Sequence, residues 1–208
     1  MTRIGLFGGT FDPVHYGHLR PALELAEYYE LDTLNLLPNQ RPQHRGAPRA
    51  STEQRIQMLN KAVSGVTQLA VDAREADRDE PTYTIDTLNE VHNENPNATL
   101  VFFMGMDAFA QFDSWHRWED ILTVANLVVV DRPDSVPSDF AKSLVARQIS
   151  AVGKAIVAGS CGVIERFEVT QLSISATDIR RRVGERRSVQ FLLPEVVREY
   201  ILEKRLYH

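Results

Sequence analysis

Short apolar runs alternating with segments of helical period constrain this chain more than any other feature. Ile4–Phe7, Leu34–Leu37, Leu69–Val71, Thr99–Met104 and Asn126–Val130 are strand-length runs. Between them, Gly17–Tyr29 carries Leu19, Leu23, Leu25 and Ala26 at helical spacing, and Ser51–Val63, Thr84–His92 and Trp118–Val124 also read as helices. Ser51 followed by Gln54 predicts a capping box. Strands alternating with helices need right-handed crossovers, so the expectation is an α/β chain with a mainly parallel sheet. The end of the chain departs from this pattern. Ala155–Ala158 and Val163–Val169 read as strands, Thr177–Arg182 and Pro194–Lys204 as helices. Pro38 stops the second strand, and residues 133–140 read as a surface loop. One domain over residues 1–208 is expected, its C-terminal helical portion covering about residues 170–208. The helix Pro194–Lys204 is expected to pack as a cap, with a subunit contact as the alternative.

Composition narrows the functional classes. Hydrophobic residues are 43% and charged residues 25% of the chain, so it can bury a core and is not of disordered composition. A formal net charge of −5 argues against a protein that coats nucleic acid. Cys161 has no partner for an internal disulfide, which suits a reducing compartment. The apolar part of the N-terminus is too short for a signal peptide, and Leu127–Val130 is far too short for a membrane span. A cytoplasmic protein with neither a membrane nor a nucleic-acid partner is expected.

The stretch Gly8-Gly9-Thr10-Phe11-Asp12-Pro13-Val14-His15-Tyr16-Gly17-His18 follows the first strand, at the edge where parallel sheets bind ligands. Gly8 and Gly9 lack Cβ, so a phosphate could approach their N–H groups, or they could simply form a turn. The helix beginning near Gly17 adds its positive end. His15 and His18 share a face if both lie in the first turn, where they could neutralise phosphate or ligate a metal. No Cys or third His lies nearby to complete a zinc site, so no residue is assigned to a metal. Gly17 would let a planar ring such as a purine lie against the backbone.

Taken whole, this string resembles the signature of the HxGH nucleotidyltransferases. The resemblance implies a Rossmann-like, doubly wound fold and transfer of a nucleotidyl group from a nucleoside triphosphate. Ile174-Ser175-Ala176-Thr177-Asp178-Ile179-Arg180 strengthens it, because a similar segment in that family opens a late helix and holds the triphosphate. The Ser175 and Thr177 hydroxyls and the Arg180 guanidinium are anion donors, although Ser-x-Thr before a helix also serves as a plain cap.

Three further stretches are similar to the bacterial nicotinate-mononucleotide adenylyltransferase family: Pro38–Arg45, Pro81–Leu88, and Gly105–Asp107 with Phe112–Trp118. The similarity covers residues 4–203 and departs at Gln43, where many members carry a second proline. It implies that ATP meets Gly8, Gly9, Thr10, Phe11, His15, Gly17, His18, Gly105, Asp107, Ser175, Thr177, Ile179 and Arg180. His15 and His18 are the implied catalytic pair. Nicotinate mononucleotide would meet Thr10, Asn39, His44, Arg45, Thr82, Tyr83, Thr84, Trp115 and Arg132. Mg²⁺ would enter mainly on the ATP phosphates.

The residues read by themselves leave alternatives. Trp115 offers a flat face to a pyridine ring or belongs to the core, where Trp118 is expected. Thr84 and its helix N–H groups receive a carboxylate, or Thr84 is a cap. Asp107 binds a ribose hydroxyl or caps the helix after Gly105. Arg41, His44, Arg45 and Arg49 lie in a stretch free of acidic residues, an anion-facing or merely solvated loop. Other acceptors (nicotinamide mononucleotide, phosphopantetheine) and a non-catalytic nucleotide sensor on the same fold are the competing functions, and a homo-oligomer is compatible with each.

Overall fold

The computed structural model describes residues 1–39, 47–76, 78, 82–131 and 156–208. Six strands form one sheet: β1 (Arg3–Gly9), β2 (Thr33–Pro38), β3 (Leu69–Val71), β4 (Thr99–Gly105), β5 (Asn126–Asp131) and β6 (Ile164–Glu168). Their order is β3-β2-β1-β4-β5-β6, and every neighbouring pair is parallel. The chain winds outward from β1 to one edge, returns to β4 and winds to the other, so the doubly wound α/β expectation holds. The order reverses between β1 and β4, which opens a crevice beyond their carboxyl ends.

Side chains alternate across each strand and build two cores. Leu34, Leu36, Val101, Phe103, Val128 and Val130 point to one face. Ile4, Leu6, Leu100, Phe102, Met104, Leu127 and Val129 point to the other. Helices α1 (Tyr16–Tyr28) and α2 (Thr52–Val63) cover the first face with α6 (Ala176–Gly184) and α7 (Glu195–Glu203). Helices α3 (Thr84–Glu94), α4 (Met106–Phe109) and α5 (Trp118–Val124) cover the second. Helix α2 starts as its sequence demands: Ser51 Oγ accepts from Gln54 N at 3.2 Å, and Gln54 Oε1 accepts from Ser51 N at 2.9 Å. Helix α7 buries Val197, Tyr200 and Ile201, so it packs as a cap on this core.

The structure corrects two local readings. Strand β1 extends through both glycines, which pair with Leu37 and Pro38 of β2, so Gly8 and Gly9 are not a turn. Residues 156–158 are not a strand. The chain turns there, with Gly159 at φ 79° donating its N–H to Thr99 Oγ1 at 2.7 Å and Asn126 Nδ2 donating to Ser160 O at 2.8 Å. The expected loop at 133–140 lies outside the described residues.

Candidate active site

The residue 10–18 segment lies beyond β1 and leads into α1. His15 is the N-cap of α1 in extended conformation, and its carbonyl accepts from His18 N at 2.8 Å and Leu19 N at 3.1 Å. Its imidazole does not cap the helix, and the first turn holds no acidic residue. The His15 and His18 rings stack with centroids 3.8 Å apart and planes inclined by 25°. His15 is buried, while His18 is partly open. Phe11 sets its ring edge-on to His18, with centroids 5.1 Å apart.

The glycines divide into two kinds. At Gly8 and Gly105 an added Cβ would meet nothing within 4 Å, so the crevice between β1 and β4 is open over both. Gly9 is different. A Cβ there would lie 2.7 Å from the Phe11 ring, so the missing side chain makes room for Phe11 and not for a phosphate. A Cβ on Gly17 would sit 2.9 Å from His15 Nδ1 and 3.1 Å from Ile174 O. Gly17 therefore admits a buried histidine and a neighbouring backbone, where a purine contact was expected. Phe11 is 2% exposed and Ile179 is fully buried in the core, so their side chains pack the protein instead of lining the crevice.

The Ile174 contact brings the second motif against the first. Ser175 caps α6, its Oγ accepting from Asp178 N at 3.2 Å. Arg180 reaches back from α6: Nη1 donates to Asp12 O at 2.6 Å and lies 3.8 Å from Asp12 Oδ2, while Nη2 donates to Thr177 Oγ1 at 3.2 Å. Ser175 and Thr177 are exposed beside it. The adjacent Asp178 carboxyl pairs with both Arg182 and Arg181 and is held below its ordinary range by them.

Asp12, absent from the expected site residues, is the centre of this junction. It is 4% exposed. Its carboxylate accepts from Arg49 N at 2.8 Å, Ala50 N at 3.2 Å and Tyr207 Oη at 2.7 Å. Behind it, fully buried Arg55 donates from Nη1 to Thr10 O at 2.8 Å and from Nη2 to Thr52 Oγ1 at 3.1 Å. Burial pulls the Arg55 guanidinium below its ordinary range and the Asp12 charge opposes this. Asp12 lies inside the quoted motif, but nothing local marks Arg55 or Tyr207.

A second group forms on the other face of the sheet. Tyr83 is the N-cap of α3 and contributes no side-chain cap, so Thr84 is the first helical residue and not the cap. The Tyr83 and His116 rings lie 4.2 Å apart, which brings Thr82, Tyr83 and Thr84 to Trp115 and His116. Trp115 is partly buried against Phe102 and Phe112, and Trp118 packs on Phe112. Gly105 is the N-cap of α4 without a side-chain bond, which leaves Asp107 exposed in the first turn and not a cap. Asn39 N donates to Gly9 O at 3.1 Å, and Asn39 Oδ1 is buried with no hydrogen-bond partner among the described residues. Arg41, His44, Arg45 and Arg132 lie outside the described residues.

Comparison with known proteins identifies the family and matches the fold. Residues 6–182 match the cytidylyltransferase-like family. A Pseudomonas paraeruginosa protein named "probable nicotinate-nucleotide adenylyltransferase" is 49% identical over 208 residues, covering 99% of this chain and 97% of the relative. A Cellvibrio japonicus protein of the same name is 45% identical over 207 residues, covering 98% of each chain. The structure of Plasmodium falciparum nicotinic acid mononucleotide adenylyltransferase complexed with NaAD superposes with a TM-score of 0.75 at 16% identity, over 100% of this chain and 98% of that one. The chain therefore belongs to the cytidylyltransferase-like nucleotidyltransferases and, among these enzymes, to the nicotinate-nucleotide adenylyltransferase family.

Proposed function

We propose that this chain transfers the adenylyl group of ATP to nicotinate mononucleotide, giving nicotinate adenine dinucleotide and pyrophosphate. The observation that carries the reading is the junction of the two motifs, where Asp12 meets Arg180 and Gly17 meets Ile174 around the stacked His15 and His18.

The acceptor phosphate is largely a dianion at neutral pH and needs no general base. One of its oxygens attacks the α-phosphorus. The bond from that phosphorus to the oxygen bridging to the β-phosphate breaks, and its electron pair leaves with pyrophosphate. The protein then acts by in-line positioning and charge neutralisation. His18 donates to the α-phosphate, and His15 contacts the phosphates alongside it. Ser175, Thr177 and Arg180 hold the β- and γ-phosphates at the start of α6. Gly8, Thr10, Gly105 and Asp107 border the nucleoside. The α3 N-terminus at Thr84 receives the ring carboxylate, Trp115 and Tyr83 flank the ring, and Asn39 offers its buried carboxamide. His44, Arg45 and Arg132 complete the acceptor site in this proposal.

Mg²⁺ fits as an ion carried on the triphosphate. Among the described residues no three His, Cys, Asp or Glu side chains converge on one point, and Mg²⁺ readily keeps waters and phosphate oxygens as ligands. Bound there, it would offset charge on the triphosphate and the departing pyrophosphate.

Residues 1–208 act as one domain in this reading, supported by the core that α6 and α7 share with α1 and α2. No described helix is long and apolar enough to cross a membrane. A cytoplasmic location follows from the substrates proposed, and gel filtration decides whether the chain self-associates. The direct test is pyrophosphate release with Mg·ATP and each mononucleotide, acid and amide. Release with the acid is expected. Release with the amide alone overturns the acceptor assignment, and release with neither overturns the reaction.

A further inference from the structure

The chain ends by turning back under the site. Tyr207 and Arg205 both have positive φ, 67° and 50°, a region that side-chain-bearing residues seldom occupy without support from their surroundings. The turn inserts the Tyr207 ring into the core beneath α6, where Tyr207 O lies 3.4 Å from the position of a Gly184 Cβ. There the hydroxyl donates to Asp12 Oδ1 at 2.7 Å. Burial and the Asp12 charge hold the phenol far above its ordinary range, so it remains a donor across neutral pH.

Asp12 meets four hydrogen-bonding or ion-pairing groups, with the Arg55 charge behind it. Arg49 N and Ala50 N pull its carboxylate toward the start of α2. Arg180 grips its carbonyl and approaches its carboxylate from α6. Tyr207 is the donor from the turn that follows α7. If that hydroxyl is removed, the two backbone donors of residues 49–50 remain, both from one side. The carboxylate then turns toward them, and the Asp12 peptide that anchors Arg180 turns with it.

We propose that Tyr207 is a positioning residue for ATP, acting through Asp12 to place the Arg180 guanidinium. This rests on the adenylyl-transfer reading above, in which Arg180 holds the outer phosphates. It assigns a function to a side chain outside both motifs and far in sequence from the first.

The test compares Tyr207→Phe with Tyr200→Phe. Each loses one phenol hydroxyl bond of 2.7 Å, Tyr207 to Asp12 and Tyr200 to Gln57 of α2. Dissociation constants for Mg·ATP are measured well below both melting temperatures, together with steady-state turnover. Tyr207→Phe is expected to weaken Mg·ATP binding and raise KM for ATP by about five-fold to ten-fold, part of the effect of one charge-assisted hydrogen bond. Its kcat should stay within about two-fold of wild type, because His18 is not displaced. Tyr200→Phe should lower stability and leave ATP affinity unchanged. Equal affinities in Tyr207→Phe and wild type overturn the proposal, as does an equal loss in both variants, which would reduce Tyr207 to a structural role. A wild-type protein that binds no Mg·ATP overturns the underlying reading and this inference together.

Discussion

Replacing Gly17 by Ala sets two effects of opposite sign against each other. Gly17 is the second residue of α1. Propensity alone favours Ala over Gly in a helix by up to about 1 kcal/mol, and less in the first turn. The added methyl would lie 2.9 Å and 3.0 Å from Nδ1 and Cε1 of His15, and 3.1 Å from Ile174 O. Neither neighbour can yield cheaply. His15 is 4% exposed and stacked on His18, and Ile174 O belongs to the backbone leading into α6. Forcing a methylene into packed surroundings costs about 1–3 kcal/mol. The net expectation is a loss of roughly 1–2 kcal/mol, or a fall in Tm of roughly 2–8 °C for a chain of this size. Activity should fall further than stability. The methyl moves the His15 ring and separates the two motifs, and a displacement of about 1 Å at a reacting centre can cost about 10²-fold. Thermal unfolding followed by circular dichroism and pyrophosphate release with Mg·ATP and nicotinate mononucleotide measure the two effects. A Gly17→Ala protein that is more stable than wild type and keeps full kcat/KM would refute the close-packing account of this glycine.

Further outcomes follow from other residues. His18→Ala should lower kcat by roughly 10²–10³ with a smaller change in ATP affinity, as expected for loss of one transition-state donor; single-turnover and binding measurements separate the two. Arg55→Met should cost about 1–3 kcal/mol in urea unfolding, because it removes the donor to the Thr10 carbonyl and one of the two guanidinium groups near the buried Asp12 carboxylate. Glu75 is buried and accepts from Thr87 Oγ1 at 2.9 Å, and burial raises its carboxyl above the ordinary value of 4.5. The folded protein therefore holds this proton more tightly than the unfolded chain does, and Glu75 makes stability fall as pH rises above 4.5 toward the folded-state value. Glu75→Gln keeps an acceptor for Thr87 and should flatten that slope, read from denaturation midpoints across the pH series.

The parts of the fold that were legible rest on near neighbours. Strand-length apolar runs and helical spacing placed β2, β3, β5 and α5 within a residue or two of their observed bounds. The Ser51–Gln54 capping box formed as written, since both partners lie within one turn. The reading failed where local chemistry allowed two backbones. Gly8 and Gly9 left a turn open as an alternative, and pairing with Leu37 and Pro38 excludes it. Residues 156–158 have strand-like side chains, but the Gly159 turn and its bond to Thr99 prevail.

The sequence by itself determined the alternation of strands and helices and the position of the two motifs at helix starts, because periodicity, caps and helix ends are properties of adjacent residues. Only the tertiary structure decided why particular residues occupy those motifs. Gly9 yields space to Phe11, Gly17 to His15 and Ile174, and Asp12 gathers Arg180, Tyr207 and the backbone of residues 49–50. These partners are distant along the chain, and their meeting depends on the winding of the sheet about β1 and β4. The physical reason is that packing and buried hydrogen bonding act between surfaces that exist only after the chain has folded.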